Sequence, residues 1–286
     1  MRTPWLHLGR VRAAARVGAL FLLAGVCGCA PSLPFVGARG AGQAQSGPHW
    51  SYSGSEGPEH WGELAADFNA CANGREQSPI DVPRAKLLKA DWLTPLQVKL
   101  NPSKVQLVNN GHTIQINYEY GSTLVFDKTT YELRQILLHS PAEHRVNGVG
   151  AEMETQLVFS DSLKHQAIVS VMMNAGAENP FFAKFWHALP EKEGAVNREI
   201  TANVADMLPV DRDYYTYDGS LTAPPCSEGV TWILLKTRVD ASADQINRFR
   251  AIFGGGSTAR PVQPINDRLV KDEDKTAGLP GSTPGR

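Results

Sequence analysis

The 286-residue chain sets 28 lysines and arginines against 29 aspartates and glutamates, a net charge of −1, with 42% hydrophobic and 8% aromatic residues. That balance excludes a basic, nucleic-acid-binding protein. The length allows a sizeable core in one domain rather than two.

In chain order, Arg2, Arg10, Arg12 and Arg16 come first without an acid among them, followed by the apolar run Val17-Gly-Ala-Leu-Phe-Leu-Leu-Ala-Gly-Val26. The run is too short to cross a bilayer as a helix, and the segment reads as a secretory signal peptide, so the expected location is extracytoplasmic, periplasmic or envelope-anchored. Val26-Cys27-Gly28 before Cys29 resembles a bacterial lipoprotein cleavage box, which would leave a lipidated Cys29 anchoring the protein to a membrane. Ordinary cleavage after Gly42-Gln-Ala44, in a Gly/Ala-rich linker, is the alternative. Removing residues 1–44 takes away five basic residues and no acidic ones, leaving 23 against 29 and a net charge of −6.

Folding is expected to begin near His49, in a single mostly β domain spanning residues 48–270. Asn109-Asn-Gly-His112 punctuates a turn, and Thr113-Ile-Gln-Ile-Asn-Tyr118 alternates as a strand. Thr123-Leu-Val-Phe126, Glu132–His139, Met153–Phe159 and Ala167–Met173 are further β-type runs. The sequence predicts one clear helix, Ser242 to Phe253, with Ser242 and Gln245 as a capping box and Gly254-Gly-Gly256 ending it. Residues 271–286 are polar, rich in Gly and Pro, and expected to be disordered. With Cys27 and Cys29 in the leader, Cys71 and Cys226 remain for the domain. In an exported chain they suggest one disulfide, two independent buried thiols being the alternative.

The ordered motifs His49-Trp-Ser-Tyr, Gly57-Pro-Glu-His-Trp61, Gln77-Ser-Pro-Ile80, Gly219-Ser-Leu-Thr-Ala-Pro-Pro225, Val230-Thr-Trp-Ile-Leu-Leu-Lys236 and Arg260-Pro-Val-Gln-Pro-Ile265 resemble the α-class carbonic anhydrases, in their bacterial, exported form. The resemblance implies a large, twisted, mainly antiparallel sheet with short surface helices, and a cystine between Cys71 and Cys226. It is strongest in two strands where the family presents three histidines to zinc as Gln-x-His-x-His and Glu-x-His-x-Val. This chain has Gln135-Ile-Leu137-Leu-His139 and Glu154-Thr-Gln156-Leu-Val158. Leu137 stands at the first ligand position, His139 matches the second, and Gln156 stands at the third. Leucine has no lone pair, and an amide oxygen is a poor ligand for a metal that needs three good donors, so one histidine does not hold zinc. In this respect the chain resembles the acatalytic carbonic anhydrase-related proteins.

The remaining assignments also follow from the resemblance. Thr222 matches the hydroxyl that orients the metal's hydroxide, Glu143 the carboxylate that accepts that hydroxyl's proton, and His112 a proton shuttle of near-neutral pKa. Val158, Ile168, Leu221 and Trp232 match the apolar wall, while Gln135 and Glu154 match groups that orient the ligand histidines. Each has a plainer reading when taken alone: His112 as an exposed turn residue, Thr222 as a loop former, Glu143 as a partner for a nearby base, and the apolar residues as core. A rebuilt metal site is disfavoured, because His144 should point away from Glu143 on an extended segment and His165 belongs to a hairpin tip. The expectation is therefore a non-catalytic binding or scaffold protein with no cofactor and an unknown small-molecule or protein partner. Zinc-dependent hydration of carbon dioxide, with zinc as cofactor, is the alternative.

Overall fold

The computed structural model describes residues 48–273. The expected signal peptide, Cys29 and the cleavage site after Ala44 lie outside the described residues, as does the tail beyond Glu273. Seven long strands carry the site: β1 (Ser103–Asn109), β2 (Ile114–Tyr118), β3 (Thr129–His139), β4 (Met153–Ser160), β5 (Gln166–Ala175), β6 (Tyr214–Ser220) and β7 (Glu228–Leu235). They pair in the order β1-β2-β3-β4-β5-β7-β6 within a thirteen-stranded sheet that is antiparallel except for three parallel pairings, β5 with β7 among them. Four short helices sit on it: α1 (Trp61–Leu64), α2 (Asn69–Asn73), α3 (Pro180–Ala183) and α4 (Ala243–Ile252). The mainly antiparallel, mostly β domain expected from the sequence is the one found.

Local chemistry accounts for the elements. β2 alternates buried and half-buried residues, because one face meets the core and the other lines a cleft. β4 is buried along its whole length, with Met153, Leu157 and Phe159 entering the main apolar core and Val158 a second cluster on the opposite side. In β3 the core-facing set runs Tyr131, Leu133, Ile136, Leu138, and its phase changes at a bulge between Leu133 and Gln135 in the pairing with β4. The bulge turns Gln135, Leu137 and His139 to the cleft.

α4 carries both bonds of the capping box, Ser242 accepting from the Gln245 backbone and Gln245 accepting from the Ser242 backbone. It stops where Gly254 and Gly255 take positive φ. At the other end of the expected domain, order continues past residue 270. Lys271–Glu273 forms a strand between β6 and Leu88–Ala90, and the Asp272 carboxylate meets both Lys89 and Lys236. Three charged residues that read as tail are kept in the sheet by partners distant in sequence. Cys71 on α2 and Cys226 after β6 form a disulfide, with Cα atoms 5.0 Å apart.

Candidate functional site

A cleft of about 320 Å³ opens on one face of β2 to β5 and is closed on its far side by the Leu221–Pro224 loop after β6. The register fixes its floor. Gln115, Leu137, Gln156 and Ser170 lie opposite one another in a row across β2, β3, β4 and β5, and His139 lies opposite Glu154 in the next row. The three positions that the resemblance assigns to metal ligands, Leu137, His139 and Gln156, therefore meet in one place, all lining the cleft.

Their chemistry differs sharply. His139 is 2% exposed, and its Nδ1 lies 2.6 Å from the Thr258 carbonyl oxygen, an acceptor, so the proton sits on Nδ1. Nε2 is left as a lone pair, buried and without a hydrogen-bond partner. Leu137 packs on the second apolar cluster, with Val158, Ile168 and Trp232 among its members. Gln156 points its amide nitrogen at two carboxylates, donating to Glu143 Oε2 at 2.7 Å and to Glu154 Oε1 at 3.2 Å. With both hydrogens committed, the amide has only its carbonyl oxygen to offer the cleft.

Both carboxylates are buried and well supplied with donors. Glu143 Oε1 accepts from the Arg260 backbone N–H at 2.9 Å. Glu154 accepts from the backbone N–H groups of Glu143 and His144, from His144 Nδ1 at 2.8 Å and from the Ser170 hydroxyl at 2.8 Å. Burial alone would raise the Glu154 pKa, but the charge and hydrogen bonds of His144, with the Ser170 hydroxyl, outweigh it and lower the value to about 2. His144 itself turns away from the cleft, its Nε2 meeting the Tyr217 hydroxyl at 2.8 Å, and that hydroxyl donates to Ser78. His165 lies at the β4–β5 hairpin, bound to Asp161.

Several expected roles change once these contacts are in place. Among the described residues Glu143 receives no hydrogen bond from Thr222; the Gln156 amide donates to its Oε2 and the Arg260 backbone N–H to its Oε1. Thr222 is buried at the cleft wall beside Leu221. Glu154 lies opposite His139 yet orients His144 and Gln156, and His139 takes its orientation from Thr258. Gln135 lines the cleft, but its neighbour Leu137 has no group for it to orient. Of the four residues that the resemblance assigns to an apolar wall, Val158, Ile168 and Leu221 line the cleft and Trp232 does not. That indole is fully buried opposite Ile168 and donates to the Ser220 carbonyl at 2.9 Å.

His112 stacks on Trp50, ring centroids 3.6 Å apart and planes 11° from parallel. Burial, and then the nearby His49, lower its pKa to about 4, well off the near-neutral value expected of a shuttle. Sequence reasoning assigned no role to Arg260, whose guanidinium donates to Gln77 Oε1 and to the Ser78 and Cys71 carbonyls. Nor did it flag Tyr217 or Thr258. The only signal was the Arg260-Pro-Val motif, which marks a position without showing what it binds.

A family model described as eukaryotic-type carbonic anhydrase matches residues 56–274. A carbonic anhydrase from Nostoc sp. is 41% identical over 226 residues, covering 78% of this chain and 85% of the relative. Another from Pectobacterium atrosepticum is 36% identical over 228 residues, covering 79% and 92%. The solved α-carbonic anhydrase of Thermovibrio ammonificans, in complex with the inhibitor sulfanilamide, is 42% identical with a TM-score of 0.76, over 79% of this chain and all of that one.

Proposed function

The chain belongs to the α-type, or eukaryotic-type, carbonic anhydrase family, and we propose that within it this protein is a non-catalytic member that has kept the fold as a binding or scaffold module. The observation that carries this reading is the pair Leu137 and Gln156, facing each other across β3 and β4 at the two positions where metal donors would be required. The family is usually zinc-dependent, and a catalytic zinc site takes three protein ligands. The floor offers one imidazole nitrogen, an aliphatic side chain and an amide whose nitrogen is committed to Glu143 and Glu154. That donor set does not fit zinc. Without a Lewis acid to acidify a water, the cleft has no nucleophile for carbon dioxide at neutral pH.

The competing reading is a zinc-dependent carbonic anhydrase converting carbon dioxide to bicarbonate. Its support is the high identity to relatives named carbonic anhydrase, together with the unpartnered Nε2 of His139. Metal analysis of the purified protein after dialysis, beside a carbon dioxide hydration assay, separates the two. The non-catalytic reading expects zinc far below one per chain and hydration at background. Stoichiometric zinc with hydration overturns it.

The same proposal places the protein outside the cytoplasm, as a soluble or lipid-anchored envelope protein. The basic-then-apolar leader and the Cys71–Cys226 disulfide support that location. Export of a fusion to the full chain, with the mature N-terminus read by mass spectrometry, tests it: Cys29 at the N-terminus marks an anchor, and Gln45 marks ordinary cleavage.

A further inference from the structure

We infer that the cleft is a receptor site for a small uncharged organic molecule that presents N–H donors to the floor and an apolar body to the Val158–Ile168–Leu221 wall. This deepens the proposed function and rests on its reading that no metal fills the floor. Three observations carry it. The floor shows two acceptors, the buried unpartnered Nε2 of His139 and the free carbonyl of Gln156, whose hydrogens are both spent on Glu143 and Glu154. A buried acceptor without a donor is costly, and a ligand donor relieves that cost.

Among the described residues no aspartate, glutamate, lysine or arginine lines the cleft, and its polar lining includes the side-chain amides of Asn110, Gln115, Gln135 and Gln166 beside His112, Thr113 and Thr222. A charged ligand would give up its hydration there without a counter-ion in the lining, a cost that a neutral one avoids. The wall supplies the rest, since Val158, Ile168 and Leu221, with Leu137 beside them, make one continuous apolar surface reaching the floor acceptors. A primary carboxamide on an aromatic or aliphatic body meets these requirements: two N–H donors for the floor, a carbonyl for the rim, and a carbon frame for the wall.

The test uses the full mature chain, dialysed against chelator and titrated with benzamide and with its charged isosteres, benzoate and benzamidine, and with toluene, which lacks donors. Benzamide is expected to bind with a Kd of about 1 mM or tighter, the range open to a fragment of this size. Each of the other three should bind at least about 10-fold more weakly, the effect of one unsatisfied buried acceptor or one desolvated charge. The ¹⁵N resonance of His139 Nε2 should move with benzamide and stay still with toluene.

His139→Phe removes the acceptor. Leu221→Trp fills the cleft from a half-buried position, and it decides the matter if the first variant fails to fold. Both should abolish benzamide binding while thermal melting of Leu221→Trp stays cooperative. No binding of benzamide, equal or tighter binding of a charged isostere, or binding that survives Leu221→Trp overturns the inference. Metal content measured on the same preparation before it meets the chelator keeps the two conclusions apart. Stoichiometric zinc defeats the non-catalytic reading, whereas metal-free protein that ignores benzamide defeats the receptor site alone.

Discussion

Gln156 is where a change of one side chain reorganises its surroundings. Its amide nitrogen lies between Glu143 and Glu154, so two buried carboxylates share a neutral donor. An imidazole bound to a metal would have to give that contact up. Zinc binding should therefore return only when both lost donors are restored. Leu137→His with Gln156→His is expected to take up about one zinc per chain, while either single change stays near the wild-type level, because groups that act as a unit are strongly non-additive. Metal analysis after dialysis checks this, and a well-folded double variant that takes up no metal would show a floor repacked beyond these two positions. Glu154 gives a second outcome. Its folded-state pKa of about 2 lies below the ordinary 4.5, so the unfolded chain takes up the proton first as pH falls. Its contribution is complete above about pH 4.5 and is lost as pH falls through 2. The urea midpoint should decline over that window in the wild type, and the slope should flatten in Glu154→Gln even if that variant is less stable throughout.

Elements were legible in the sequence wherever their cause was local. The capping box of α4 needs only Ser242 and Gln245 three residues apart, and both bonds form. Ser242→Ala should cost about 1 kcal/mol, read as a shift in the denaturation midpoint with unchanged m. Gln245→Ala should cost more, because the buried Gln245 amide also accepts from the Asn179 backbone and donates to the Asn179 carbonyl, tying α4 to the start of α3. Equal effects would mean that this cross-link adds nothing. The alternating run Thr113–Tyr118 was equally clear, since period two is a property of the strand itself. The bulge in β3 was not, because it is defined only against its partner β4. Lys271–Glu273 failed as a prediction for the same reason: Lys89, Lys236 and two neighbouring strands decide its fate from far away. At the site, residue types revealed which donors were missing. They could not show that Gln156 would bind Glu143, or that the Thr258 carbonyl would hold His139, since each of these contacts closes a loop in space.

At the scale of the molecule, the start of the described domain is fastened to its later half around one small cluster. Trp50, Trp61, Phe68, Cys71 and Cys226 pack together, and the disulfide closes 155 residues of sequence. Arg260 binds the same region from the far end of the chain, donating to the Cys71 and Ser78 carbonyls. Burial, the first cause, lowers the Arg260 pKa to about 10, against the opposing pull of Glu143, and the group stays charged at neutral pH. Cross-linking so long a loop restricts the unfolded chain, so reduction should lower stability by about 2 to 5 kcal/mol. Cys71→Ala, Cys226→Ala and the double variant should each lose a similar amount, because any one of them removes the same cross-link and both sulfurs lie in the same apolar cluster. Denaturant unfolding of oxidised and reduced protein checks this, with mass mapping of non-reduced peptides to establish the pairing. An unchanged midpoint on reduction would mean that the Arg260 bonds and the Trp50–Trp61 packing hold the two ends together without it. The expected loss would instead make the fold depend on an oxidising compartment, tying the proposed export of the chain to its stability.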